Sequence, residues 1–213
     1  MAKDKLSLAA WIEESEKKGI SLRETLIANN AEAMGVEPQV LLDEMADMLK
    51  VMRASIDYGL TGVRSRSKLT GGSAKKLFEA KQSNNYANLL GSTVSDAVIF
   101  SLAVAEANAA MGRIVAAPTA GASGVLPGML FSLQKNYALS EKDLAAGLVV
   151  AGSIGLVIAN RSSLSGAMGG CQAETGSAAA MAAGAAVDML GGTPEQVGHA
   201  VAMTIKNMLG LVC

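Results

Sequence analysis

Seventeen residues from Leu144 to Asn160, LAAGLVVAGSIGLVIAN, carry no charge, and Asp143 and Arg161 close the stretch at its two ends. Its length sits at the lower edge of what crosses a hydrocarbon layer, and its three glycines let neighbouring helices come close. We read it as a helix buried in a protein core, not as a membrane span. Its surroundings must be built from small side chains too, because aromatic residues make up only 3% of the 213, against 50% hydrophobic residues and 23 glycines. Interiors of that kind come from close-packed helices, whereas sandwich layers draw on β-branched and aromatic residues. No run alternates as a strand does. The expected fold is all-α, a bundle of amphipathic and buried Ala/Gly-rich helices.

Charge is spread unevenly. Residues 1–90 hold 13 basic and 12 acidic groups, and residues 91–213 hold 5 and 7. The expectation is an N-terminal helical segment over 1–60 and a helical core over 61–213, within one compact domain. A formal charge of -1 offers no field for a polyanion, so nucleic acid is excluded as a partner. The N-terminus MAKDKLSLAAWIEESEKKG has no apolar signal core, and two cysteines make no disulfide framework, so the expected location is the cytoplasm with no membrane partner.

Helical spacing marks 6–18, 22–33 and 39–60. In the last of these, Leu41, Leu42, Met45, Met48, Leu49, Met52 and Ile56 form one apolar stripe, read as core packing. Further helices are expected over 96–111, 124–136 and 140–160. Ser21 with Glu24 fits a capping box, and Thr193, Pro194 and Gln196 fit another at the start of a helix running to Met208. That helix carries the only histidine, His199, read as a core or interface residue and not as a base.

Three segments could carry chemistry. In TGVRSRSKLTGGSAKKLFEAK, six cations face one Glu79; Lys68 and Thr70 can offer an ammonium and a hydroxyl to a carboxylate, and Gly71 and Gly72 admit close backbone approach. A solvated loop suits the same residues. In APTAGASGVLPG, Thr119, Ala120, Gly121 and Ser123 precede an apolar helical run whose first amides suit an anion, although a plain helix-start turn reads the same way. In SSLSGAMGGCQAETGSA, Cys171 follows two glycines, an unusual setting for an inert thiol. Cys213 lies 42 positions further on, which matches no metal knuckle, so inert cysteines remain an alternative.

Taken together, SKLTGG, APTAGASGVLPG, SGAMGGCQAETGSA and the closing NMLGLVC resemble the α chain of the bacterial iron–sulfur L-serine dehydratases, over nearly the whole chain. The resemblance implies an all-helical catalytic chain that binds a [4Fe-4S] cluster through three cysteines, with Cys171 and Cys213 falling on two of them. Members of the family continue past the second cysteine and supply the third later, so the 213 residues are expected to hold a cluster poorly or not at all. The resemblance also implies L-serine as substrate, a β chain as partner, a homo- or hetero-oligomer, and elimination of water to give pyruvate and ammonia. Lys68, Thr70, Gly71 and Gly72, with Thr119, Ala120, Gly121 and Ser123, would hold the amino acid, and Lys68 is a candidate base. A cysteine-nucleophile enzyme using Cys171 and a non-catalytic helical assembly subunit are the rival readings.

Overall fold

The computed structural model describes residues 6–83 and 89–210. Among them are nine helices: α1 (Leu8–Lys18), α2 (Leu22–Met34), α3 (Pro38–Leu60), α4 (Ser73–Gln82), α5 (Gly91–Ala109), α6 (Val125–Tyr137), α7 (Glu141–Arg161), α8 (Gly166–Met189) and α9 (Pro194–Met208). The fold is all-α, and its one β-like feature among these residues is an isolated bridge between Arg64 and Gly71.

Local chemistry starts most of these helices. Ser7, Ser21, Ser140, Ser165 and Thr193 each turn a side-chain oxygen onto an amide of the first turn of α1, α2, α7, α8 and α9. At α2, α7 and α9 the return bond from Glu24, Asp143 or Gln196 completes a capping box. The two boxes expected at Ser21 and Thr193 are thus present, and Pro194 opens α9 as expected.

The chain folds as two compact units, residues 1–46 with 140–213, and residues 47–139. Residue 60, the expected end of the N-terminal helical segment, is the end of α3, and α3 itself begins in the first unit and ends in the second. In the first unit α7 packs on α2 and α8, and α8 on α9. Leu22, Leu26, Leu144, Val150, Ile154, Ala185 and Val197 are buried there. α7 is long and apolar enough to cross a membrane, but 61% of its most apolar window is buried within the protein, which is the core placement expected of it. In the second unit α5 packs on α4 and α6 around Leu49, Met52, Ile99, Ala103, Leu126 and Leu130. Of the methionines in the α3 stripe, Met52 is buried while Met48 is exposed.

Two helices were not expected. α4 occupies the basic segment read as a loop, because its amphipathic face can bury only Ala74 and the stripe is too short to show in the periodicity. α8 is rich in glycine and alanine, residues that supply no periodic contrast; alanine favours the helix and burial against α7 and α9 stabilises it.

Candidate functional site

The basic segment closes on itself before α4 begins. Ser65 N–H donates to the Thr70 carbonyl at 2.8 Å, Lys68 N–H to the Ser65 carbonyl at 2.8 Å, and Thr70 N–H to Ser65 Oγ at 3.2 Å. Lys68 takes the left-handed conformation (φ 61°) at the tip of this turn, where it, Leu69 and Thr70 are exposed. Gly71 has φ 126°, and a side chain there would run into the Val63 carbonyl, so the turn returns to its base only with glycine at this position.

The next residues meet a partner that no local pattern announces. Gly72 N–H donates to Glu106 Oε2 at 2.9 Å and Ser73 N–H to Oε1 at 2.8 Å, while Ala74 N–H lies 3.4 Å from both oxygens. Glu106, on α5, is 2% exposed. Its carboxylate therefore occupies the amides at the start of α4, the place where a bound anion would otherwise sit. Two residues along α5, Asn108 Nδ2 donates to the Ala120 carbonyl at 3.0 Å. One end of α5 thus holds both the Lys68–Gly72 turn and the Thr119–Ser123 turn.

The second turn follows a cis Ala117–Pro118 bond. Ala122 N–H donates to Thr119 Oγ1 at 3.4 Å and Ser123 N–H to the Ala120 carbonyl at 3.3 Å. α6 then starts at Gly124 with no side chain capping it. Ser123 is 1% exposed, and its hydroxyl is buried with no hydrogen-bond partner among the described residues. A buried hydroxyl left without a partner costs roughly 1–3 kcal/mol.

Elsewhere in this unit, Asp96 is buried beneath Lys81 Nζ at 2.7 Å and Lys135 Nζ at 3.0 Å, with Asn136 Nδ2 at 3.2 Å. Burial raises its pKa, but the hydrogen bonds from Lys81, Lys135 and Asn136 outweigh burial and leave it below the ordinary value. This pairing ties α4 and α6 to α5.

In the other unit, α8 is two helical pieces joined at Gly170, whose φ of 74° and ψ of 178° belong to a region that only glycine enters freely. Cys171 opens the straight piece and is exposed. The neighbouring Gly169, Gln172 and Ala173 line a cavity of about 470 Å³, with Ile158 and Ser162 from the end of α7 and Met208 from the end of α9 on its other walls. α8 and α9 form an antiparallel hairpin: a Cβ built on Gly184 would meet Val197 and Val201, and one on Gly176 would lie 3.6 Å from Met208. Met208 therefore packs five residues from Cys171. The other cysteine, Cys213, lies outside the described residues. No group of three His, Cys, Asp or Glu side chains suited to a metal is found among the described residues.

His199 does not sit in the core. It is exposed, with Nε2 3.5 Å from Glu195 one helical turn back. The hairpin register places it opposite α8 near Gly184, 13 residues from Cys171, which is roughly 20 Å along the helix. A Cys171–His199 nucleophile pair is out of reach.

Residues 17–213 match the family model described as serine dehydratase alpha chain. Among similar proteins, the probable L-serine dehydratase alpha chain of Bacillus subtilis (strain 168) is 46% identical over 202 residues, covering 95% of this chain and 67% of that one. The L-serine dehydratase alpha chain of Peptoniphilus asaccharolyticus is 37% identical, with coverage of 95% and 69%. An L-serine dehydratase of Streptomyces coelicolor is 34% identical over 93% of this chain but only 44% of its own length. This chain thus spans about two thirds of the alpha chains and under half of the longer protein. A match over residues 17–213, together with these identities, shows that the chain belongs to the serine dehydratase alpha chain family.

Proposed function

We propose that the chain is the catalytic alpha chain of an L-serine dehydratase that acts with a β chain in a reducing cytoplasm. The observation that carries this reading is Cys171, presented exposed by a kink only glycine permits, in a chain of this family. Cys171 suits a soft metal: its thiol is accessible, and Met208, five residues before Cys213 in sequence, packs five residues from Cys171 on the neighbouring helix. The donors fit as part of a set, because the 213 residues contain two cysteines and the family's cluster takes three. When bound, a [4Fe-4S] cluster supplies a Lewis-acidic iron that can draw electrons from the β-hydroxyl of serine.

The protein's own residues then have three tasks. The amino acid must be held by its carboxylate, the α proton removed, and the hydroxyl expelled as water; the resulting enamine tautomerises and hydrolyses to pyruvate and ammonia. Lys68 and Thr70 suit the carboxylate, their side chains standing exposed at a turn that Gly71 and Gly72 shape. Thr119, Ala120, Gly121 and Ser123 suit the remaining polar groups, and the unpartnered Ser123 hydroxyl supports that allocation. Lys68 is also the chain's candidate for moving the α proton.

Pyruvate release from L-serine by the natural-length protein, combined with its β chain and reconstituted anaerobically with iron and sulfide, is the test. Turnover that depends on the cluster supports the reading; a loaded cluster without pyruvate overturns it. In that assay Lys68→Ala is expected to raise KM about tenfold or more, as loss of a charge-assisted hydrogen bond does. A collapse of kcat at constant KM would make Lys68 a proton carrier instead.

A further inference from the structure

Glu106 is a carboxylate in the protein interior, 2% exposed, with no lysine or arginine at ion-pair distance among the described residues. Moving a carboxylate out of water costs several kcal/mol unless hydrogen bonds replace its hydration. Here the replacement is three amides at the start of α4, at 2.8–3.4 Å, together with the positive end of that helix.

A cap alone does not account for this arrangement. Five other helices of this chain are capped by a serine or threonine directly before them, which needs no buried charge. At α4 the residue in that place is Gly72, with φ 84° and no side chain, and the acceptor arrives from 34 residues further along the sequence. The difference in outcome is positional. A local cap ties a helix to its own first turn, whereas Glu106 ties the base of the Ser65–Thr70 turn to α5. Asn108 ties the Ala120 turn to the same end of α5 through its carboxamide.

We infer that Glu106 and Asn108 are positioning residues for catalysis: from one end of α5 they set the places of the two turns that receive the amino acid. Neither side chain contacts substrate in this scheme. The assignment deepens the dehydratase reading and rests on it for the kinetic consequences, but not for the clamp itself. One corollary follows for the substrate: with the α4 amides already donating to Glu106, its carboxylate meets the Lys68 and Thr70 side chains and not those amides.

The turn carries its own probe, since Arg64, Arg66 and Lys68 are exposed trypsin sites. In the cluster-loaded complex, Glu106→Ala is expected to speed cleavage at these sites about tenfold and to raise KM for serine about tenfold at unchanged iron content. Glu106→Gln keeps one acceptor oxygen and should fall between the two, which also covers the case in which the alanine variant does not fold. Asn108→Ala is expected to raise KM while leaving cleavage at 64–68 as in the unmodified protein. Unchanged cleavage in both Glu106 variants overturns the clamp. Faster cleavage with unchanged KM and kcat reduces Glu106 to a helix cap and overturns the positioning role. Should the unmodified complex release no pyruvate, the dehydratase reading fails and so does a catalytic role for these residues, while the clamp stands or falls on cleavage alone.

Discussion

On the proposed reading, replacing Cys171 with serine is expected to remove the brown iron–sulfur absorbance and pyruvate formation of the reconstituted natural-length protein together, with activity falling at least about a hundredfold, beyond the roughly 10–100-fold that losing a residue behind the ligands produces. A serine oxygen is a hard donor and a poor replacement for the soft thiolate that an iron–sulfur cluster takes. The informative companion is Gly170→Ala, which keeps the thiol but asks alanine to enter a backbone region that costs roughly 1–3 kcal/mol. We expect the segment to relax toward ordinary helix, turning Cys171 away from its present direction, with iron content falling although the Cys171 thiol is still present. Iron and sulfide analysis beside turnover checks both variants. Full absorbance and turnover in the Cys171→Ser protein would remove that sulfur from the site.

Arg23→Ala is expected to destabilise strongly the unit formed by 1–46 and 140–213. Arg23 Nε lies 2.9 Å from Asp188 Oδ2, Nη2 donates to the Asp188 carbonyl at 3.0 Å, and Nη1 lies 3.2 Å from Asp143 Oδ1. Asp188 is buried, and burial, working against the attraction of Arg23, already pushes its carboxyl above the usual value. Removing the guanidinium leaves a buried carboxylate without its cation, a change that costs about 3–5 kcal/mol. The dependence on pH has a definite sign. A carboxyl whose pKa is raised on folding binds protons more tightly in the native state, so its contribution to stability declines as pH rises through the raised pKa. Without Arg23 that pKa rises further. The gap in thermal midpoint between variant and parent is therefore widest at neutral pH and narrows on acidification toward the ordinary Asp value of 3.8. Asp143 behaves oppositely. Hydrogen bonds from Ser140 chiefly, and Arg23 after them, hold it low, so its contribution is present above 3.8 and lost as pH falls through the lowered value. Thermal melts from pH 4 to pH 8 follow Asp188, since the contribution of Asp143 is lost only below 3.8, and a gap that widens on acidification within that range would contradict the assignment.

Much of this was legible in the order of residues because it is local. Ser21 with Glu24 and Thr193 with Gln196 announce helix starts, since a cap needs only three neighbouring positions. The all-α fold was legible for a related reason: a chain poor in aromatic residues, with repeated helical spacing and no alternation, has no other way to bury Leu22, Leu144 and Val150. The candidate segments around Lys68, Ser123 and Cys171 stood out by composition, glycine and hydroxyl residues beside a cation, a helix start or a thiol. Their resemblance to one family agrees with the match over residues 17–213.

Other features lay beyond that reach. The glycine and alanine of α8 carry no periodic contrast, so only burial against α7 and α9 makes the helix visible. His199 read as a core or interface residue on an apolar helix, and its exposure, which excludes the core, was settled by the packing of α9 on α8. Glu106 and Asn108 belong to no local motif, and their partners lie 34 and 12 residues away. Sequence by itself determined seven of the nine described helices, the caps at Ser21 and Thr193 and the residue types available for chemistry, because these depend on neighbours within a turn or two. Tertiary structure alone decided that α4 takes its cap from 34 residues away, that Gly170 breaks α8 beside Cys171, and that one end of α5 holds two separate turns. Those outcomes follow from which surfaces meet when apolar area is buried, a property of the whole chain that no short window contains.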